Sequence, residues 1–260
     1  MQLTLFQADA FTSNVFGGNP AAVCPLTEWI PDDLMQAIAA ENNLAETAFF
    51  VKQGDKFGLR WFTPVAEVDL CGHATLATAH IMYTELGHTA AKILFDTRSG
   101  ILEVKKHESG YTMNFPTDVL TPVEAPEEIT SGLGLTPKAT FRGKTDYLVV
   151  IESQEQLEQL TPDFRILAQG KVQGTIVTAP GNEVDFVSRC FYPQYGIDED
   201  PVTGSAHTTL TPYWAKQLNK NELTAQQLSF RKGDLVCIHH GDRTELIGQA
   251  VTYLRGEIWV

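Results

Sequence analysis

The sequence has few cysteines and no long apolar run. Its four cysteines, spread over 260 residues, form no C-x-x-C pair, which argues against a zinc ribbon or a redox motif. No window of 18 apolar residues occurs, so the sequence predicts no transmembrane helix. The N-terminal residues lack the basic segment and apolar core of a signal peptide. We therefore expect a cytoplasmic protein with reduced thiols.

Positive charge is also scarce. Lys and Arg number 19 against 32 Asp and Glu, which gives a formal net charge of −13. Such a surface repels nucleic-acid phosphates and anionic lipids, so neither nucleic acid nor a membrane is an expected partner. A small anion can still bind where backbone N–H groups converge, so the net charge does not exclude a small carboxylate as the partner.

Several catalytic motifs are missing. There is no G-x-G-x-x-G and no P-loop lysine motif, which argues against nucleotide cofactors. There is no G-x-S-x-G nucleophile elbow. Cys237 and His239 share one face of a predicted strand while His240 points away, and no second cluster completes a ligand set. The sequence therefore predicts neither a cofactor nor a metal.

The patterns that are present indicate a sheet-rich α+β protein. Short β-branched and aromatic runs separated by Gly, Asp and Pro predict strands in both halves of the chain, among them residues 3–6, 21–24, 47–51 and 57–62. Helices are predicted at Pro31–Asn42, at Thr161–Ala168 with Thr161 as the cap, and near Ser205–Leu218. The helix predicted at about His73–Leu86 is small or apolar nearly all round, which favours strands wrapped around a central helix. The Pro-rich stretch Pro116–Pro126 is the best candidate for a domain boundary.

Two of the predicted helices open on a glycine, at Gly72 and Gly204. The first N–H groups of a helix have no internal partner, and glycine lets a ligand approach the backbone closely. Two such helix starts facing each other would grip a carboxylate or a developing enolate. The alternative is that both glycines only form tight turns. In the second helix, His207 is expected to be satisfied by a backbone carbonyl.

Three titratable residues are candidates for proton chemistry. Glu46 precedes an apolar run, where burial would favour proton transfer, although it could also be an exposed loop acid. His73 begins an apolar helix and could share a proton with Glu46 or Asp200, or bond a backbone carbonyl. Asp200 lies next to the second glycine-headed helix and could point into a cleft. Its neighbours Asp198 and Glu199 are interpreted as a solvated acidic turn.

At these residues the sequence resembles the PhzF-like (phenazine-biosynthesis) family, whose members are related to diaminopimelate epimerase. The resemblance spans roughly residues 9–206. It is carried by Asp9-Ala10-Phe11-Thr12 leading to Phe16-Gly17-Gly18-Asn19-Pro20, by Asn43-Leu44-Ala45-Glu46-Thr47, by Arg60-Trp61-Phe62-Thr63-Pro64 with Glu67-Val68-Asp69-Leu70-Cys71-Gly72-His73-Ala74, and by Glu199-Asp200-Pro201-Val202-Thr203-Gly204-Ser205-Ala206.

The resemblance implies a diaminopimelate epimerase-like fold with two similar lobes, each a curled, mainly antiparallel sheet around a central helix. We expect the lobes to be residues 1–117 and 118–260, with the active site in the cleft between them. In such folds the final strand can return to the first lobe, here at Arg255–Val260. A homodimer is also plausible from the family.

The resemblance also implies an isomerase that moves a proton within a small carboxylate without a cofactor. It implies a catalytic role for Glu46, His73 and Asp200, and substrate binding by Asn19, Gly72, Gly204 and Ser205. Related epimerases use a cysteine from each lobe; Cys71 matches one position, but the Asp200–Ser205 stretch supplies no partner thiol, which argues against that mechanism. Two alternatives stay open: hydrolysis by a Ser205, His73 and Asp200 triad, or a two-lobed protein that only binds a small acid.

Overall fold

The computed structural model describes all 260 residues, and β-strands dominate its secondary structure. The helices are α1 (Asp32–Asn42), α2 (Gly72–Thr84), α3 (Glu127–Leu133), α4 (Gln154–Glu158), α5 (Phe164–Leu167) and α6 (Gly204–Leu218). The strands are β1 (Gln2–Ala10), β2 (Asn19–Leu26), β3 (Glu46–Gln53), β4 (Lys56–Phe62), β5 (Glu67–Val68), β6 (Lys92–Thr97), β7 (Gly100–His107), β8 (Gly110–Pro116), β9 (Thr121–Val123), β10 (Ala139–Arg142), β11 (Asp146–Val150), β12 (Gly174–Pro180), β13 (Phe186–Tyr192), β14 (Ile197–Asp200), β15 (Glu222–Gln227), β16 (Gly233–His239), β17 (Arg243–Gly248) and β18 (Ala250–Trp259). No helix combines the length and apolar character needed to cross a membrane.

The chain divides into two units. The first unit comprises Met1–Asn114 together with Ile247–Val260, and the second comprises Phe115–Leu246. The first division falls a few residues before the expected boundary at 117/118. The C-terminal segment of the first unit is longer than the expected Arg255–Val260, because all of β18 pairs with β1.

The first unit contains a mixed sheet in which β18, β1, β2, β3, β4, β6, β7 and β8 follow one another. The β2–β3 and β4–β6 pairs are parallel, and the other neighbours are antiparallel. Helix α1 packs against β3 and β4 and contributes Met35 and Ile38 to a buried cluster with Phe49 and Phe62. The strands that the sequence predicts at residues 3–6, 21–24, 47–51 and 57–62 lie within β1 to β4.

Helix α2 occupies the interior of the first unit. Every residue from His73 to Tyr83 is buried, and the helix packs against β1, β2, β3 and β18. Burial on all sides follows from the sequence, because the helix presents no polar face to water. Its threonines bond to carbonyls of the helix backbone; the hydroxyl of Thr78, for example, donates to the carbonyl of Ala74 at 2.7 Å.

The second unit is built in a similar way from different residues. The strands β9 to β13 are neighbours in chain order, β15 pairs in parallel with β13, and β16 pairs with β15. Helix α6 packs against β15 and β16 and buries most of its length. A separate buried cluster under α3, α4 and α5 includes Ile129, Leu157 and Phe191.

Two local predictions in the second unit are wrong. The N-cap of α5 is Asp163 rather than Thr161, because the Asp163 carboxylate accepts hydrogen bonds from two N–H groups of the first turn. Glu199 is not part of a solvated acidic turn. It lies in β14, half-buried, and pairs with Arg189 through two contacts of 2.7 and 2.8 Å.

Candidate active site

Glu46 and His73 form a buried pair in the first unit. Glu46 is the first residue of β3, and His73 is the second residue of α2. Nε2 of His73 lies 2.9 Å from Oε2 of Glu46, and the side chains are 7% and 13% exposed. The imidazole and the carboxylate are therefore in direct polar contact. The sequence suggests Glu46 or Asp200 as the partner of His73, and the structure places His73 next to Glu46.

Asn19 contacts the second ring nitrogen of His73, Nδ1. Its Nδ2 lies 3.2 Å from Nδ1 of His73, and Asn19 is completely buried at the start of β2. The parallel register of β2 with β3 pairs Ala21 with Glu46, so Asn19 and the carboxylate lie on neighbouring strand starts. An amide can either donate to Nδ1 or accept from it. Asn19 therefore fixes the ring orientation in either protonation state.

The loop before Asn19 is strongly constrained. Phe11 and Phe16 both adopt positive φ, at 62° and 73°, a conformation rare for bulky residues. The buried carboxylate of Asp9 accepts a hydrogen bond from the N–H of Phe16 at 2.8 Å. Gly18 has φ +58°, and a Cβ there would lie 2.0 Å from the carbonyl oxygen of Ala10. This backbone is what sets the position of Asn19.

Cys71 is a third member of the cluster. It is the N-cap residue of α2, and its Sγ lies 3.5 Å from Nδ1 of His73. Burial raises the pKa of the Cys71 thiol to about 11. Burial by itself would lower the pKa of His73, but Cys71 and Glu46 outweigh it and raise that pKa well above its usual value.

The cluster has the donor set of a metal site. The ligand atoms of Glu46, Cys71 and His73 all lie within 4.8 Å of one another. The sequence analysis misses this cluster because it considers only ligand residues that lie close together in the sequence. Here the third donor comes from a strand 25 residues earlier in the chain. The packing of α2 against β3 brings it close.

The N-terminus of α2 completes the candidate site in the first unit. Cys71 has extended backbone geometry and makes no side-chain capping bond, and Gly72 follows it as the first helical residue. The first N–H groups of a helix have no partner within the helix, and the helix dipole makes this end favourable for an anion. The geometry provides a carboxylate from β3 next to an imidazole and an oxyanion-binding helix start from α2.

Asp200 lies in the second unit and is bonded to its own helix start. Its Oδ2 accepts a 2.5 Å hydrogen bond from the hydroxyl of Thr203, the N-cap residue of α6. Gln227, which the sequence analysis misses, is completely buried behind this turn. Its Oε1 accepts from the N–H of Thr203 at 2.8 Å, and its Nε2 donates to the carbonyl of Asp200 at 2.8 Å. Gln227 therefore fixes the segment that carries Asp200.

The remaining predicted residues of this unit begin α6. Gly204 is buried, and no side chain caps the helix, as in α2. Ser205 is exposed, and no base within its own unit hydrogen-bonds its hydroxyl. The Nδ1–H of His207 donates to the carbonyl of Thr203 at 2.8 Å, so the expected backbone partner is present. Asp200, Gly204 and Ser205 thus form a group in the second unit, while Glu46, His73, Asn19 and Gly72 form one in the first.

Solved structures share the fold. A PhzF-family phenazine biosynthesis protein from Enterococcus faecalis is 43% identical, and its crystal structure aligns with a TM-score of 0.97 over 100% of both chains. A hydroxyproline epimerase from Agrobacterium vitis shares the fold at 10% identity, with a TM-score of 0.63 over 99% of this chain and 92% of that one. The chain is a mixed, sheet-dominated α+β protein of the kind found in epimerases and racemases.

Sequence comparison gives the family. Residues 8–256 match the family described as phenazine biosynthesis-like protein, PhzC-PhzF. A Pseudomonas aeruginosa protein named as an uncharacterized isomerase is 46% identical over 258 residues, which cover 99% of each chain. The chain belongs to the phenazine biosynthesis-like family, which confirms the resemblance found in the sequence. These similarities support an isomerase.

Proposed function

We propose that the protein is an isomerase that moves a proton within a small carboxylate substrate, with Glu46 as the group that removes and returns it. The observation that carries this proposal is the state of the Glu46 carboxylate. Its Oε2 is buried and lies 2.9 Å from Nε2 of His73. A carboxylate that is shielded from water and held in place by an imidazole is suited to act as a general base.

The other two titratable groups of the cluster support a single carboxylate base. Cys71 is a thiol at neutral pH because its pKa is about 11, so it is poorly suited to remove a proton from carbon. His73 is held between Glu46 and Asn19. Its cationic form stabilises the Glu46 carboxylate before the reaction, and its contact to Glu46 keeps that side chain oriented.

The reaction takes two proton transfers. The Glu46 carboxylate removes a proton from a carbon next to the substrate carboxylate or a conjugated alkene, which leaves the electron pair delocalised into that group. The first N–H groups of α2, starting at Gly72, stabilise the resulting negative charge. The protonated Glu46 then donates a proton to another carbon on the same face of the substrate, and exchange of the carboxyl proton with water between the two steps carries solvent hydrogen into the product. No net charge enters or leaves, and no electrons are exchanged with another reagent.

We assign substrate binding to Asn19 and Gly72 in the first unit and to Gly204 and Ser205 in the second. The support for the second group is chemical. The start of α6 is another helix end without a side-chain cap, and Asp200 beside it is fixed by Thr203 and Gln227. We assign Asp200 a part in catalysis as an additional acid or hydrogen-bond acceptor for the substrate.

The hydrolase alternative has less support. In acyl-transfer enzymes the nucleophilic hydroxyl is hydrogen-bonded to a base that is itself oriented by a third group. Within its unit Ser205 has no such base, and the nearby His207 points its Nδ1–H at a backbone carbonyl. The two-lobed arrangement, the homodimer and the cytoplasmic location stay predictions from the sequence and the resemblance.

Proton exchange in heavy water tests the proposal. The protein is incubated in D₂O with a bacterial metabolite extract, supplemented with trans-4-hydroxy-L-proline because that acid is bound in the hydroxyproline epimerase neighbour. Mass spectrometry then identifies carboxylic acids that gain deuterium only when the protein is present. The variant Glu46→Gln should lower this exchange by about 10²- to 10⁴-fold, the usual contribution of a general acid–base.

The matched control is Glu41→Gln, which removes an exposed glutamate from the neighbouring helix α1. It should exchange as the parent does, and circular dichroism should show all three proteins folded. Exchange at the parental rate by Glu46→Gln would contradict the role of Glu46. The absence of protein-dependent exchange in every acid would contradict proton transfer altogether.

A further inference from the structure

A cavity of about 410 Å³ lies where the two end strands of the first unit's sheet come together over α2. It is lined by residues of β7, β8, α2, the start of β18 and the loop after β1. The start of β8 approaches the segment before β18 closely, because a Cβ on Gly110 would lie 2.2 Å from the carbonyl oxygen of Gly248. A cavity of this volume accommodates a small organic molecule.

The cavity is separate from the Glu46 and His73 pair. None of its lining residues belongs to the candidate active site, and all of them lie in the first unit. His80, which contributes to the lining, follows His73 by seven residues on α2, which is about 10 Å along the helix axis. The cavity is therefore a second concave site of the same unit.

One wall of the cavity is a fixed chain of hydrogen bonds. The Tyr111 hydroxyl lies 3.1 Å from Nδ1 of His80, and both residues are more than nine-tenths buried. Nε2 of His80 lies 3.0 Å from Oγ1 of Thr252, which donates to Glu85 at 2.9 Å. Thr252 therefore accepts the proton of Nε2, and Nδ1 accepts from Tyr111. Burial lowers the pKa of His80, so this wall is uncharged at neutral pH.

Lys106 is the cation of the cavity. No Asp or Glu lines the cavity, although acidic residues outnumber basic ones by 32 to 19 in the chain. Lys106 makes no ion pair, whereas the adjacent Lys105 pairs with Glu103 at 2.7 Å. Lys106 lies opposite Tyr111 in the register of β7 with β8, so the two side chains share a face. Its Nζ lies 4.5 Å from the centre of the Tyr83 ring, which turns the side chain toward α2.

His107 adds a hydrogen-bond donor, and the start of β18 adds apolar surface. Nδ1 of His107 accepts from the N–H of Ser109 at 3.2 Å, so the neutral ring carries its proton on Nε2. Ala250 and Val251 belong to the same lining. A positive charge and an N–H donor next to apolar surface suit a ligand with one anionic group and a small apolar body.

We infer that this cavity binds a small organic acid, with its anionic group at Lys106 and His107 and its apolar part against Ala250 and Val251. The cavity offers donors and no carboxylate, so an anion meets no like charge in the lining. The inference concerns binding only and does not depend on the proposed proton transfer.

Nuclear magnetic resonance tests this site with benzoate as the probe. The ¹⁵N-labelled full-length protein is titrated with benzoate, and the amide signals of Lys106, Tyr111 and Val251 should shift in a saturable way, with a Kd on the order of 1 mM. Benzamide, which has the same shape without the charge, should bind at least about tenfold more weakly. Lys106→Gln should weaken benzoate binding about fivefold.

The matched control is Lys105→Gln, which removes the adjacent lysine on the opposite face of β7. It should bind benzoate as the parent does, and circular dichroism verifies that both variants fold. Equal weakening in the two variants would show that benzoate responds only to total charge and would overturn the site. Benzamide binding as tight as that of benzoate, or benzoate shifts confined to residues around Gly72, would overturn it as well.

Discussion

Mild acid should destabilise the second unit through His207. This residue is completely buried, its Nδ1–H is used by the carbonyl of Thr203, and its Nε2 has no partner. Burial lowers the pKa of His207 from 6.5 to about 4 in the folded protein. A protonated ring would have to bury a charge and a second N–H with no acceptor. The folded state therefore resists a proton that the unfolded chain accepts.

The sign and size follow from this difference. Above pH 6.5 the ring is neutral in both states, so its full contribution to stability is present. As the pH falls toward 4, only the unfolded chain binds the proton, and stability declines by about 1.4 kcal/mol per pH unit. Between pH 7.5 and 5.0 the loss due to His207 should be about 2 kcal/mol.

Replacing the ring isolates this contribution. In His207→Asn the side-chain amide can still donate to the carbonyl of Thr203, but no group titrates. Urea unfolding of fluorotryptophan-labelled protein can be followed by ¹⁹F resonance, because Trp214 is the single tryptophan of residues 115–246. From pH 7.5 to 5.0, the variant should lose about 2 kcal/mol less stability than the parent.

The control His240→Asn removes a half-exposed histidine of the same unit, and its pH dependence should match the parent within about 0.5 kcal/mol. An equal loss of stability in the parent and His207→Asn would refute the reasoning. It would mean that the buried ring accepts a proton as readily in the fold as in the unfolded chain.

Two further substitutions, each with a control, test an ion pair and a close backbone contact in the first unit. Arg60→Lys should cost about 1–2 kcal/mol in urea unfolding followed at Trp61, because the guanidinium makes two 2.7 Å bonds to Glu67 that an ammonium cannot reproduce. Arg98→Lys, at a half-exposed side chain, should stay within about 0.5 kcal/mol of the parent. Gly18→Ala should cost at least about 3 kcal/mol, since positive φ and a 2.0 Å backbone contact both oppose a Cβ. Gly54→Ala, at φ +62° with no atom within 4 Å, should cost only about 1 kcal/mol; equal costs at the two glycines would contradict the clash.

The inner helices could be predicted from the sequence because their composition is decisive. The small and apolar residues of 73–83 favour burial on all sides, as observed, and α2 and α6 lie close to their predicted bounds. Helix ends are less well determined. Thr161 followed by proline is a good N-cap signal. The N-cap is nevertheless Asp163, because its carboxylate accepts hydrogen bonds from two backbone N–H groups of α5.

The candidate site could be predicted only in part. Glu46, His73 and Asn19 are recognisable from motifs, and the structure brings them together. Cys71 lies in the site because the backbone is extended at the N-cap of α2. Gln227 lies behind Asp200 because β15 pairs in parallel with β13. Likewise, Glu199 looks solvated until Arg189 on the paired strand is known. Strand register between distant segments is a tertiary property that local periodicity does not encode.

The pairing of β18 with β1 has a consequence for how the chain is made. Gln2 lies opposite Trp259, and the N–H of Val260 donates to the carbonyl of Met1 at 2.8 Å, so residues 1 and 260 are in direct contact. During synthesis β1 is made long before β18, and one edge of β1 stays unpaired until residues 250–259 emerge from the ribosome. A circular permutation that joins residue 260 to residue 1 through a short linker and opens the chain at a surface loop would let β18 and β1 be translated together.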